Sequence, residues 1–467
     1  MSKSTWIKAF ETHAKEIASM HQIPGLAYGA AVDGETVHTG GIGYRDVENG
    51  LATGPDTVYG IGSITKSFTC IAIMQMQERG LLSVEDSLVR WLPEFRLPAG
   101  APAEDITLHH LMTHTSGLPP LPSLFNAMAR SMKDDPSTED FSLKMPDLEP
   151  IDTVEELVDL ISELDFRPLG GPGEYFSYSN DGYALLGAVL ERASGLSYGA
   201  YLQKHLLDPV KMTHTTLNTG DLESFEEVTE LYASRENNGK ETAYHAPGWW
   251  EFPSMESAGR LMSNVTDLLR YLEIYRCRGL VDGERILSEK SVEEMMKPHV
   301  ATSAGQFYGY GLLVKSDYHG ITLVGHSGGI KGVSADMLLS PEDGITAVAL
   351  SNLSGAPSGA ISLGIINALK RLPPDTPRSE FPDFDATADQ LARFTGTYRS
   401  GEGANVTMYT ADDRLFADME GKTHIGRPTA EDVVVFKIKG MEIPVRHIPT
   451  IRAVSFGSRI ITRAEET

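Results

Sequence analysis

Apolar positions recur at helical spacing over residues 5–20, where Trp6, Ile7, Phe10, Ala14 and Ile17 share a face. Pro24-Gly25 ends that pattern. Leu26–Val32 then reads as a strand, Asp33-Gly34 as a hairpin turn and Thr36–Ile42 as the partner strand. A short strand near Val58-Tyr59 leads into Gly60-Ile61-Gly62-Ser63-Ile64-Thr65-Lys66, the head of an apolar helix that reaches Arg79 and stops at Gly80. Residues 83–118 predict short helices and loops. Residues 120–150 change texture to Pro, Met, Ser and acids, which predicts a mobile acidic surface insertion, either a lid over a cleft or a plain exposed loop. Thr153–Leu164 carries a Thr-x-x-Glu capping box at the start of a helix, and further helices are expected over Gly182–Ala193 and Thr266–Arg276. From Gly309 the period shortens to strands: Gly309–Val314, Thr322–Val324, Ser334–Leu339 and Thr346–Leu350. A last helix covers Gly359–Leu369.

Pro373–Phe384 is rich in Pro and acids and reads as a linker. Beyond it, short alternating runs (Gly396–Tyr398, Asn405–Thr410, Arg414–Met419, Val433–Ile438, Val445–His447, Ala453–Phe456) predict a small antiparallel barrel or sandwich. The order is helix and hairpin, helical middle, then strands and a helix. Strands from both ends can therefore pair in one sheet with the helical region packed on it. This is α+β: an antiparallel sheet flanked by helices with a helical subdomain, plus a small C-terminal antiparallel β-barrel. The division expected is a main domain over 1–372, a linker over 373–387 and the barrel over 388–467.

Charge narrows the function classes. The chain of 467 residues carries 40 Lys+Arg against 64 Asp+Glu, a net charge of −24, which disfavours nucleic acid and anionic membranes as partners. The two cysteines, Cys70 and Cys277, do not make a disulfide framework. The first residues lead into an amphipathic helix without an apolar signal core, and no apolar run approaches membrane-spanning length. The expectation is a soluble cytoplasmic protein with no membrane partner.

The candidate chemistry begins at Ser63 and Lys66. At i and i+3 on a helix the two side chains share a face, so an amine lies beside a hydroxyl at a helix N-terminus. A serine becomes a nucleophile when an adjacent base takes its proton, and a lysine serves once its pKa is lowered. Alone, Ser-x-x-Lys is as consistent with a capping serine and a solvated lysine. Tyr178-Ser179-Asn180, on a loop before a helix, adds a tyrosine that a nearby cation can turn into a general base, and an amide that can pair with a substrate amide. His326-Ser327-Gly328-Gly329 ends a strand, and its glycines let a substrate backbone approach. The N–H groups of Ser63 and Gly329 are candidates for an oxyanion hole, in which each donor is worth about 3 kcal/mol. Gly325-His326-Ser327-Gly328-Gly329 also fits Gly-x-Ser-x-Gly, but a strand rather than a helix follows it, so the nucleophile elbow is rejected. His110 and His114 stand at i, i+4 without a third ligand, so no metal and no cofactor is expected. His245, Trp249, Trp250 and Phe252 cluster in a loop and are candidates for a pocket wall, with core packing as the alternative.

Together Ser63-x-x-Lys66, Tyr178-x-Asn180 and His326-x-Gly328 resemble the penicillin-recognising serine hydrolases of the class C β-lactamase type, a group that includes D-alanyl-D-alanine carboxypeptidases, D-aminopeptidases and esterases. Ile23-Pro24-Gly25-Leu26, Thr113-His114-Thr115-Ser116-Gly117-Leu118-Pro119 and Gly309-Tyr310-Gly311-Leu312 extend the resemblance over residues 5–370. It implies that Ser63 is the acylated nucleophile, Lys66 its partner, Tyr178 the base and Asn180 the substrate-amide contact. His326 stands where β-lactamases of this type usually have lysine, which tilts the implication toward a peptidase or amidase. The tail resembles the lipocalin-like barrels of some family peptidases and is a candidate to bind a ligand, to reach over the cleft or to mediate homo-oligomer assembly, with a stabilising appendage as the alternative. The expectation is a serine hydrolase of small peptides, including those with D-residues. The alternatives are a carboxylesterase or weak β-lactamase with the same site, and a non-catalytic penicillin-binding scaffold.

Overall fold

The computed structural model describes residues 3–141, 148–237, 240–302, 305–438 and 440–464. Its frame is a nine-stranded sheet built from both ends of the main domain. β1 (Gly25–Val32), β2 (Glu35–Asp46) and β3 (Leu51–Ala52) come from the N-terminal end. β4 (Val300–Ala301), β5 (Phe307–Tyr308), β6 (Leu313–Tyr318), β7 (Ile321–Ile330), β8 (Val333–Ser340) and β9 (Ile345–Ser351) come from the far end. The spatial order is β4-β5-β6-β7-β8-β9-β1-β2-β3. β1 and β9 close it antiparallel, from Leu26 opposite Ser351 to Val32 opposite Ile345. The expected pairing of strands from both chain ends is thus present.

Both faces of this sheet are covered, which is why its central strands read as nearly continuous apolar runs. Ala27, Ala31, Met337, Leu339, Val348 and Leu350 face the helical subdomain. The intervening Tyr28, Ala30, Leu338, Ala347 and Ala349 face the other way. There they meet Phe10 and Ala14 of α1 (Lys3–Met20) and Ile361 and Ile365 of the helix Ser358–Leu369. On the first face the central element is α2 (Thr65–Glu78), buried from Thr65 to Met76. Against it pack α3 (Asn180–Ser194) and α4 (Val265–Arg276), and the ring of Phe68 stacks on Tyr271 at 3.8 Å. The helix Ser358–Leu369 is α5.

Several local expectations shift. A strand was expected over Gly309–Val314, but β6 begins at Leu313 and the preceding Gly311 is left-handed, with φ of +68°. β7 runs through His326-Ser327-Gly328-Gly329 instead of ending before it. Tyr232–Asn237 and Lys240–His245 form a hairpin that the periodicity did not announce. Within the 120–150 insertion, Ser123–Met132 is a helix with Asn126, Ala127, Met128 and Met132 buried, while residues 142–147 lie outside the described residues. The capping box at Thr153 and Glu156 is formed as read.

The C-terminal region closes into an eight-stranded barrel. Its strands are β10 (Gly396–Arg399), β11 (Asn405–Ala411), β12 (Arg414–Met419), β13 (Lys422–Ala430), β14 (Val433–Ile438), β15 (Met441–Ile448), β16 (Ala453–Phe456) and β17 (Arg459–Arg463). β13 and β17 were not legible, because their alternation is broken by charge and by Gly426 and Pro428. Val406, Met408, Leu415, Val434, Phe436 and Val454 fill the interior. The barrel docks on the main domain through Ala453 and Ile460 against Leu169, and the Tyr175 hydroxyl lies 2.8 Å from that of Thr450. No helix among the described residues is long and apolar enough to cross a membrane.

Candidate active site

Ser63 sits in a single 3-10 turn, Gly62–Ile64, that feeds directly into α2. Gly62 has φ of +50°, a left-handed value that favours glycine. The turn is pressed against β7 backbone to backbone. A Cβ on Gly328 would stand 1.9 Å from the Ile61 carbonyl oxygen and 2.9 Å from the Ser63 nitrogen, and one on Gly62 would stand 2.5 Å from the Gly329 nitrogen. This contact sets the Ser63 amide against Gly328 and the Gly329 amide against Gly62. β6 pairs with β7 no further than Leu313 opposite Gly325, so among the described residues the motif segment after Gly325 has no strand on that side.

Lys66 is fully buried. Its Nζ donates to Ser63 Oγ at 3.1 Å, to Asn180 Oδ1 at 2.8 Å and to the Ala258 carbonyl at 2.5 Å. All three donors of an ammonium have acceptors, yet burial depresses the Lys66 pKa well below that of an ordinary lysine, and Arg459 depresses it further. Asn180 opens α3 just after the capping residue Ser179, whose Oγ accepts from the Gly182 amide at 3.0 Å.

Tyr178 presents its ring to Lys66 Nζ at 4.9 Å and to the Arg459 guanidinium at 5.1 Å. A lowered pKa was expected beside such cations. Burial wins instead and raises the hydroxyl, even though Ser63 and Arg459 pull it back. Ser63 is the polar group nearest to hydrogen-bonding the Tyr178 hydroxyl, which otherwise has no close partner among the described residues. The tyrosine therefore rests as a phenol.

His326 is also buried, and burial with Lys66 nearby pushes its pKa down to about 3. Its Nδ1 lies 2.5 Å from the Ser327 carbonyl oxygen, an acceptor only, so Nδ1 carries the proton and Nε2 accepts from the Tyr308 hydroxyl at 3.0 Å. Ser327 itself is exposed on β7 and is followed by a tight turn and β8, not by a helix. This geometry removes it as an elbow nucleophile.

The two histidines weighed as a metal pair have other partners. His110 Nδ1 accepts from the Thr107 amide at 3.1 Å in a helix cap, and His114 Nδ1 accepts from the Ser179 amide at 3.0 Å. His114 packs its ring 4.1 Å from that of Tyr178 and so holds the Tyr178-Ser179-Asn180 loop. Its presence in the Thr113–Pro119 stretch was visible in the sequence, but its task was not.

The aromatic loop does not line the cleft over Ser63. His245 meets Glu230 at 2.9 Å, Trp249 packs on Gly60, and Trp250 is buried with its Nε1 donating to Asp135 at 2.7 Å. Phe252 packs behind the Ser63 turn, near Gly259. Core packing, the alternative reading, describes the buried Trp250 and Phe252; Trp249 is half-buried, and His245 ends the strand Lys240–His245 in a partly exposed ion pair.

Of the roles weighed for the barrel, reaching the cleft is the one its contacts match, but the residues that it brings were not legible. The β16–β17 turn and the β10–β11 turn reach into the site. The Ser458 carbonyl accepts from the Tyr178 amide at 2.8 Å, and the Gly401 amide donates to Pro120 O at 3.0 Å. Arg459 is ion-paired with Glu402, and Glu402 Oε1 in turn accepts from Asn180 Nδ2 at 3.4 Å. Each residue lies in an ordinary-looking barrel turn, and Glu402 stands 222 positions from Asn180, so no local pattern could have paired them.

The fold and site place the chain in a class, and comparison with known proteins names it. The Beta-lactamase family model matches residues 9–369, and the chain belongs to this family of serine hydrolases. Penicillin-binding protein 4* of Bacillus subtilis (strain 168) is 25% identical over 434 residues, covering 90% of this chain and 88% of the relative. The octameric penicillin-binding protein homologue from Pyrococcus abyssi is 28% identical with a TM-score of 0.70, covering 98% of this chain and 100% of its own. A D-stereospecific amidohydrolase from Streptomyces sp. shares the fold, with 24% identity, a TM-score of 0.60, and coverage of 77% and 97%.

Proposed function

We propose that the chain hydrolyses amide bonds of small peptides, including peptides with D-residues, through an acyl-enzyme on Ser63. The observation that carries the reading is the contact of Ser63 Oγ with a buried Lys66 of lowered pKa. A neutral Lys66 accepts the Ser63 proton as Oγ attacks the carbonyl carbon. The oxyanion develops beside the amides of Ser63 and Gly329. The resting phenol of Tyr178 donates its proton to the leaving amine, and the Lys66 ammonium then restores the phenol, which leaves the acyl-enzyme with its proton balance intact. Water repeats the sequence on the ester. Here Tyr178 starts as an acid rather than as a base.

His326 stands where β-lactamases of this type usually have lysine, and burial pushes its pKa down to about 3, so it offers no cation to a substrate carboxylate, which argues against a requirement for a free C-terminal carboxylate. The amidohydrolase named above, which shares the fold, agrees with the choice of amide substrates. The octameric relative supports assembly of this chain into a homo-oligomer. Ser63→Ala tests the reading: turnover of D-amino-acid p-nitroanilides and of p-nitrophenyl esters should fall by about four orders of magnitude or more. Undiminished turnover of either class contradicts it.

A further inference from the structure

The cleft over Ser63 does not end at the motif residues. It encloses about 910 Å³ and runs from Ser63, Tyr178 and His326 across Ser327–Gly329 to a far end built by α5, the segment after it and the barrel strand β15. That volume exceeds what a single scissile amide needs. The far end joins apolar side chains, Ala360 and Leu363 from α5, Pro377 and Phe381 from the connecting segment, and Met441 and Pro444 from β15, to a rim and floor that carry Asp336, Asp375, Arg378 and Glu442.

This wall is built, not loose. Asn367 Nδ2 donates to the carbonyls of Pro374 at 3.1 Å and Thr376 at 3.0 Å, and the Tyr318 hydroxyl donates to Thr376 O at 3.3 Å. At the other end Arg427 donates to the Phe381 carbonyl at 2.8 Å, to Asp383 at 2.9 Å and to Glu442 at 2.8 Å. The segment that reads as a linker is a strap tied to both domains. The charges on the floor are satisfied among themselves: Asp336 accepts from Ser362 and lies 3.8 Å from Arg378.

Position decides which half of a substrate reaches this end. On the reading that Asn180 contacts the acyl half, that half sits on the helical side of Ser63, where Asn180 meets Lys66. The far end lies on the other face of the sheet, where α5 packs on β8 through Ser362 and Asp336. We propose that it is a leaving-group subsite, which takes an apolar side chain of leucine or phenylalanine size on the amine side of the scissile bond. The proposal rests on Ser63 being the nucleophile.

The test holds the acyl half constant and varies the leaving residue through Gly, Ala, Leu and Phe amides, with released amine as the readout. Each buried methylene contributes about fourfold, so kcat/KM should rise at least tenfold from Gly to Leu or Phe. In Phe381→Ser/Met441→Ser that rise should shrink below threefold, while turnover of p-nitrophenyl acetate, whose leaving group is the same for all variants, stays within twofold. If the double variant loses p-nitrophenyl acetate turnover, Met441→Gln alone is measured against the same standard. Equal rates across the series in the unaltered protein, or a preference that survives the substitutions, overturns the subsite. If the unaltered protein does not turn over p-nitrophenyl acetate at all, the reading of Ser63 fails and the subsite falls with it.

Discussion

At Ser63 the decisive quantity is where three protons rest. Lys66, Tyr178 and His326 are all buried, and burial drives all three toward their neutral forms. Neutrality is what a lysine base and a tyrosine acid require. The barrel tunes this balance. Arg459 lowers the Lys66 pKa and Glu402 raises it. Activity needs neutral Lys66, so it is lost as pH falls through the Lys66 pKa. Removing the Arg459 charge raises that pKa, and removing the Glu402 charge lowers it. The acidic limb of kcat/KM should therefore move up by about half to one pH unit in Arg459→Met and down by a similar amount in Glu402→Gln. A pH–rate series on the three proteins reads this directly, and shifts of the same sign in both variants would contradict it.

At the scale of elements, the site depends on β7 lying against the Ser63 turn. Gly328 leaves no room for a side chain, since the nearest neighbour is backbone and cannot swing away. Gly328→Ala should cost about 1–3 kcal/mol of stability and should separate the Ser63 and Gly329 amides, so kcat should fall more than KM changes. Thermal unfolding and steady-state kinetics on one preparation check both. The turn that follows β7 is clamped too. Lys331 is buried, and its Nζ pairs with Asp135 and donates to the carbonyls of Pro247 at 2.7 Å and Gly248 at 2.8 Å. This ties the 120–150 insertion and the aromatic loop to the end of the catalytic strand. Lys331→Met leaves Asp135 buried without its cation and should cost about 3–5 kcal/mol in denaturant unfolding.

Legibility follows the same division. Ser63-x-x-Lys66, Tyr178-x-Asn180 and His326-x-Gly328 are short-range patterns, and each marks one strand end or helix start that the fold brings together. The helix of α2 and the capping box at Thr153 were legible because period and caps are local, while of the sheet only the sharing of strands from both chain ends was legible, not the pairing of β1 with β9. The Tyr178 pKa was misjudged because sequence displays neighbouring charges but not burial. The Lys331–Asp135 clamp joins residues 196 positions apart, and no periodicity encodes such a contact.

Across the whole molecule, the barrel forms part of the wall of the candidate cleft. It brings Ser458 to the Tyr178 amide, Glu402 to Asn180, and Met441 and Pro444 to the far end of the cleft. Its own core is filled by side chains, so its contribution lies in its turns and outer strands. All of this presupposes that Ser63 is the atom that reacts. Intact mass and peptide mapping after exposure to a fluorophosphonate test that claim most directly. One adduct should form, on the peptide that contains Ser63, and none should form in Ser63→Ala. An adduct on Ser327, or no adduct on the unaltered protein, would contradict the account.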